Sequence, residues 1–294
     1  MKIQRYSAIL LILLGAASYG LLSPYIKLAY DDGWTEGQIT ASQMTMGTLV
    51  LWLLVGLQPK SWSNPFKGPW IKLILIGIFG LALTTVFYNV SLTELDASFS
   101  IVLLFQFTWI TILIDSVVEK RWPSRFQFIA IGLVMLGTVL AVNLFGINLA
   151  LFSVRGLFFG LASAISYSLF IYMTGRIDTQ LSSLLKSAIM LTGAIPVIYL
   201  LYPPIAFFAV NGINLLIWGL LLGLLGQVIP TLFFNIGIPK VGGSMAAMLG
   251  SVELPVAVLG ALVILGEQVL LVQWVGMGLI LVGIMISERK PIRQ

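Results

Sequence analysis

From Gly242 to Glu267 the chain reads GGSMAAMLGSVELPVAVLGALVILGE. This stretch is long and apolar enough to cross a membrane, which takes ~20 apolar residues. Yet it carries a carboxylate, Glu253, near its middle and a proline, Pro255, two residues on. An ionisable group at that depth costs at least ~2.5–3.5 kcal/mol on insertion scales, so it must face a partner or a watery cavity. Pro255 lacks a backbone N–H and clashes with the carbonyl of Ser251, which predicts a helix break there with that oxygen left free. Ser244, Gly250 and Ser251 keep the adjoining surface small enough for another helix or a ligand to come close. A costly charge, a break and a small-residue face in one span predict a transport site.

The rest of the chain has the same solvent. Hydrophobic residues make up 59% and charged residues 9%, and mean hydropathy is +1.04. Ordinary globular domains carry about 25% charged residues, so a soluble enzyme is excluded. The formal charge of +5 then concerns topology and anionic headgroups, not nucleic acid. Cysteine and histidine are both absent, which removes disulfides, thiol chemistry and the usual zinc, haem and iron–sulfur ligands; no cofactor is expected. The first apolar run, Ser7 to Ala29, follows Lys2 and Arg5 but exceeds a signal-peptide core, and is read as an uncleaved helix.

Ten spans are expected, at about 7–29, 37–57, 70–90, 97–118, 126–145, 154–174, 182–202, 213–237, 243–265 and 271–287. The connections are short and carry turn-formers: Asp31-Asp32-Gly33, Asn64-Pro65, Pro203-Pro204 and Asn211-Gly212. With the N-terminus inside, 14 of the 16 basic residues fall at inner ends, among them Lys60, Arg121, Lys186, Arg289, Lys290 and Arg293. Arg155 alone sits at an outer end, Lys27 lies inside the first span, and acidic Asp31, Asp32, Glu36, Glu94, Asp96 and Glu267 fall outside. Both termini are therefore expected in the cytoplasm.

The chain also repeats. Thr85-Val86-Phe87-Tyr88-Asn89 recurs as Thr231-Leu232-Phe233-Phe234-Asn235 at an offset of 146, and Ser18-Tyr19 as Ser166-Tyr167 at 148. Met44 and Gly47 match Met190 and Gly193, and Glu119 with Gln127 matches Glu267 with Gln273. Five spans per half is an odd number, so the second copy must be upside down. The expected fold is an all-α integral membrane protein whose ten transmembrane helices form two inverted five-helix repeats, residues 1–149 and 150–294. Inverted repeats of this kind build alternating-access transporters with a midplane site.

Further marks are Gly15-Ala16-Ala17-Ser18-Tyr19-Gly20 with Lys27 following, Ala97-Ser98 opening span four, Ser244 opening span nine, Leu265-Gly266-Glu267 at a helix end, and Gly276 and Gly283 in span ten. In these the chain resembles the EamA-type repeat of the drug/metabolite transporter superfamily over essentially its whole length. The resemblance implies a ten-helix transporter, of a family that includes many exporters of amino acids and other small metabolites. Where a mid-span proline is usual, span four reads Phe105-Gln106-Phe107-Thr108-Trp109. A symmetric kink thus lacks its usual cause, and span four becomes a specificity candidate.

Glu253 leads the candidate residues, either titrating a proton or meeting a substrate ammonium; the bland alternative is a neutral carboxylate bonded to an Asn or Gln. Gln106 lies near its equivalent place, at an offset of 147. Asn89 and Asn235 are paired by the repeat, and such polar pairs either line a cavity or tie helices together. Tyr19, Tyr88, Phe105, Trp109 and Tyr167 are aromatics within spans; each singly favours packing, while together they are candidate substrate contacts. On a continuous helix Phe105 and Trp109 share a face with Gln106 beside it. Lys27 is placed to snorkel or to contact an anion. Asp115 is read as a gate or surface pair, within reach of Lys120 or Arg121. The GxxxG spacings Gly156–Gly160 and Gly219–Gly223 serve dimerisation or internal packing.

The expected protein is a secondary transporter in a prokaryotic cytoplasmic membrane, moving a small amphipathic metabolite; the resemblance adds amino acids as the class and export as the direction. The alternative is a transporter of organic cations, quaternary amines or polyamines, with Glu253 as counter-charge and aromatics as a cation–π cage. An intramembrane enzyme lacks two acids at catalytic spacing, and a channel lacks a repeated filter loop. The expected partners are substrate, bilayer and, as a candidate coupling ion, protons; the expected state is monomer or weak homodimer.

Overall fold

A computed structural model describes residues 2–58, 62–95, 97–120, 122–141, 153–177, 179–208, 212–266 and 268–287. Lys60, Asp96, Arg121, Asn211, Glu267, Arg289, Lys290 and Arg293 lie outside these residues. The described chain is helical throughout, as it must be where no water is present to satisfy backbone groups. In order it forms α1 (Lys2–Asp31), α2 (Glu36–Leu57), α3 (Trp70–Glu94), α4a (Ala97–Leu104), α4b (Phe107–Glu119) and α5 (Arg125–Ala141). There follow α6 (Val154–Arg176), α7 (Ser183–Leu201), α8 (Gly212–Val241), α9a (Gly243–Gly250), α9b (Glu253–Ile264) and α10 (Leu271–Ser287). Eight rods are long and apolar enough to cross a membrane, α4a with α4b and α9a with α9b each counting as one; α5 and α10 are shorter apolar helices.

Local chemistry sets the ends. Gly33, at φ +90°, turns the chain after α1, and Thr35 with Gln38 forms a capping box that opens α2. Ser153 and Ser182 cap α6 and α7. Leu10, Leu53, Leu113, Phe128 and Ile213 stay exposed on the outer faces, as side chains bathed in lipid do.

The packing crosses between the halves. α1 lies along the last part of α8 and on α9a and α9b, and α6 lies in the same way on the last part of α3 and on α4a and α4b. α2 packs on α7 and the first part of α8, while α7 packs on α2 and the first part of α3; α5 pairs with α10. Small residues permit this closeness. A Cβ added at Gly223 would come within 2.7 Å of the Gln43 carbonyl, and one at Gly137 within 2.7 Å of the Gly276 carbonyl. Both GxxxG spacings are spent inside the bundle: Gly219 abuts Ser42, and Gly160 abuts Leu103 and Ser91.

Two helices change neighbours midway, and each does so at a π turn, Gly77–Ala82 in α3 and Leu224–Val228 in α8. A π turn displaces carbonyls from the regular ladder. A serine from the opposite half meets one in each: Ser18 Oγ donates to the Leu225 carbonyl at 2.7 Å, and Ser166 Oγ donates to the Phe79 carbonyl. These serines are the pair singled out by the repeat.

Candidate functional site

A cavity of about 90 Å³ lies where α1, α2, α3, α4a, α6, α8 and α9b converge. Six of the expected residues line it: Tyr19, Tyr88, Asn89, Phe105, Tyr167 and Glu253. Gln43 and Gln227 join them. Toward the Lys27 end of α1 it adjoins a second cavity of about 370 Å³, whose lining includes Lys27, Tyr30, Gln268 and Gln273; Ser23, Tyr88 and Leu254 border both. Glu253 is the charged group of the inner cavity among the described residues. It starts α9b, directly after the interruption at Ser251 and Val252. Pro255 falls in the first turn of α9b, where a missing N–H costs nothing. The Ser251 carbonyl, expected to be free, accepts from Leu254 N at 3.4 Å.

α4 is interrupted too, without a proline, at Phe105 and Gln106. The turns match bond for bond: Gln106 N donates to Leu103 O as Val252 N does to Leu249 O, both at 3.2 Å. Thr108 N to Phe105 O (3.2 Å) likewise matches Leu254 N to Ser251 O (3.4 Å). In this register Phe107, not Gln106, stands where Glu253 stands. Gln106 instead points outward, its Nε2 on the Val102 carbonyl at 2.8 Å and its Oε1 accepting from Trp109 Nε1 at 2.8 Å. Trp109, 37% exposed, lies in an outer groove with Ile112, Leu113 and Phe128. The expectation that Trp109 shares a face with Phe105 assumed an unbroken helix, and the turn at Phe105–Gln106 rotates the two apart.

The cavity floor is aromatic. Phe107 meets Tyr167 at 4.7 Å between centroids, and Tyr19 meets Tyr167 and Phe234 at 6.1 Å each; Tyr167 stacks on Phe170. Thr108 Oγ1 and Ser251 Oγ, 3.3 Å apart, link the two interruptions. Beyond the floor the helices are tied to one another. α4b packs on α9a there, whereas α4a and α9b make no comparable contact among the described residues. Arg176 of α6 pairs with Asp115 at 3.4 Å and with Glu119, and lies over the Tyr172 ring at 5.2 Å. Ser244 Oγ donates to Asp115 Oδ2 at 2.6 Å. The partner of Asp115 is thus Arg176, not Lys120, and Arg121 is outside the described residues.

The two asparagines tie helices. Asn89 Nδ2 donates to Thr40 Oγ1 at 2.5 Å, and Asn235 Nδ2 to Ser187 Oγ at 3.0 Å. Asn89 also borders the cavity, whereas Asn235 is not among its lining residues. Lys186, grouped above with the inner-end cations, is only 7% exposed within α7, with Nζ 3.4 Å from the Asn235 carbonyl. Gln43 and Gln227 were not anticipated. A search for symmetric pairs passes over residues peculiar to one half: the repeat places Ile189 opposite Gln43. The available signal was a polar amide inside an apolar span. No cluster of three or more His, Cys, Asp or Glu suited to a metal occurs among the described residues.

The EamA-like transporter family matches the chain over residues 6–143 and again over 154–288. The chain is 24% identical over 279 residues to "Uncharacterized transporter YcbK" of Bacillus subtilis (strain 168), covering 91% of this chain and 88% of that one. It also resembles in fold a solved structure titled "Crystal structure of protein", with TM-score 0.74 and 17% identity over 97% of each chain. A multi-pass helical bundle, a buried carboxylate at a helix interruption and two family matches end to end agree: the chain belongs to the EamA-like transporter family, within the drug/metabolite transporter superfamily.

Proposed function

We propose that this chain is a secondary transporter that moves a small amphipathic metabolite by alternating access. The observation that carries the proposal is the unequal pair of ends: the cavity holding Glu253 continues toward Lys27, while aromatics and the Arg176 tie close the other side. A carrier must pass through such a one-sided state and its converse. Residues 1–149 and 150–294 form the two inverted repeats, supported by the matched interruptions, the matched π turns and the exchanged packing. α5 and α10 complete the count of ten spans. At 17 residues α5 is ~25 Å long, the short end of the spanning range.

The charge asymmetry supports both termini in the cytoplasm of a prokaryotic cell, which makes the Lys27 end external. Family kinship supports a metabolite such as an amino acid, moved outward. The carboxylate among tyrosines supports the second reading, an organic cation neutralised by Glu253. In either reading Glu253 binds a proton or the substrate in turn, as a monomer or weak homodimer suffices to do. The test is a thermal-shift screen of amino acids, polyamines, quaternary amines and nucleosides, followed by counterflow of each stabilising compound in proteoliposomes. Stabilisation and counterflow of the same compound are expected; binding without movement of any ligand would refute transport.

A further inference from the structure

The inner cavity contains more unmet acceptors than its tyrosines would suggest. Gln43 is 2% exposed and Gln227 3% exposed. Gln43 Oε1, Gln227 Oε1 and Glu253 Oε2 are buried and have no hydrogen-bond partner. All three residues line the same space, from α2, from the π turn of α8 and from the start of α9b. Carboxamide and carboxylate oxygens accept and cannot donate. A buried acceptor left unmet is costly, and the Tyr167 hydroxyl, also buried without a partner at this cavity, can donate to only one of the three, so together they call for a donor-rich occupant. No arginine or lysine lines the inner cavity among the described residues; Lys27 borders the outer one.

We infer that the inner cavity is a binding site for an ammonium that bears N–H groups, with Gln43 and Gln227 as its specificity-determining residues beside Glu253. A primary ammonium brings three N–H donors, no acceptor and one positive charge, which matches two amide oxygens and one carboxylate. A quaternary ammonium brings the charge alone and leaves both amide oxygens unmet. The rest of the substrate then points into the outer cavity, where Leu254, Ala257 and Val258 offer an apolar surface. An amino acid and a simple amine share the head group that the inner cavity reads, and differ only in what they place beyond it. This inference rests on the transport reading for its biological meaning, yet binding alone tests it.

The full-length protein is purified in detergent and its thermal stability titrated with n-butylammonium and with butyltrimethylammonium, which has the same chain and charge but no N–H. Butylammonium is expected to stabilise saturably, with butyltrimethylammonium at least about tenfold weaker, since a hydrogen bond to a charged group is worth that much. Gln43→Met and Gln227→Met keep length while removing the acceptor. Each is expected to weaken butylammonium at least about tenfold and to leave butyltrimethylammonium unchanged. Unliganded melting temperatures near wild type establish that both variants fold. Equal stabilisation by the two cations, or undiminished butylammonium affinity in both folded variants, would overturn the inference. Counterflow in proteoliposomes separates it from the broader reading: transport of a solute with no preference for N–H overturns the ammonium site alone. Selective butylammonium binding with no movement of any amine supports the site and overturns transport.

Discussion

The interruptions in α4 and α9 share a backbone and differ in chemistry. Each is a short turn with the same hydrogen bonds at the same sequence offset, but one begins its second segment with Phe107 and the other with Glu253. One follows no proline, and the other has Pro255 in the next turn. The break therefore belongs to the repeated architecture, and proline accompanies it without being its cause. What the halves do not share is polarity: Phe107 seals the floor against Tyr167, and Glu253 faces the cavity. A doubled fold can thus hold one site, provided the two copies diverge at one position.

The sharpest way to break this comparison is at that position. Glu253→Gln keeps shape and loses charge, and is expected to lower transport at least about tenfold at every pH between about 5 and 8 while the protein stays folded. Phe107→Leu is expected to lower melting temperature more than transport. Rates measured in proteoliposomes decide it: wild-type transport in Glu253→Gln would make the carboxylate structural and erase the distinction. Next in size is the closed end. Arg176→Gln removes both ion pairs to α4b, and a probe cysteine at buried Thr174 (Thr174→Cys, 1% exposed) should then react with maleimide severalfold faster. An unchanged rate would mean that the aromatic floor, not the charged tie, holds this end shut. Pro255→Ala comes third: with α4 breaking unaided, the loss of stability should stay within ~1 kcal/mol and transport should persist. A collapse of activity would restore the proline as the cause of the break. Smallest is Trp109→Ala, expected to leave ligand affinity unaltered and to cost up to ~1.5 kcal/mol of stability through the lost bond to Gln106. Binding and thermal melts of the same sample check both.

Much of this was legible beforehand. The apolar runs marked the helices, because a bilayer demands length and hydrophobicity and little else. The repeat brought Tyr19, Asn89 and Tyr167 to the fore, since a residue type recurring at a fixed offset reflects a recurring place, while Glu253 stood out as a carboxylate inside an apolar span. Gln106 was set opposite Glu253 at an offset of 147, one more than the 146 of the Thr85–Asn89 match, and the turn geometry follows 146 and makes Phe107 the equivalent of Glu253. Trp109 was misplaced for the same reason, as helical periodicity cannot be carried through an interruption that no proline announces. Lys186 looked like a loop cation because a charge near a span end usually reaches water, and here the Asn235 carbonyl receives it instead. Gln43 and Gln227 stayed hidden because each exists in one half only.

The π turns in α3 and α8 have a consequence for how such a pocket can arise. A π turn holds one residue more than the α turn it replaces, which at the level of the gene is a single codon. Inserted in a straight helix, that codon rotates everything after it by ~100° while leaving everything before it in place. In α3 it divides Gly77 and Ile74, which stay packed on α7, from Thr84, Thr85, Tyr88 and Asn89, which turn to the cavity. One in-frame insertion is enough to carry a row of side chains from lipid to lumen, with no side chain of the row itself replaced.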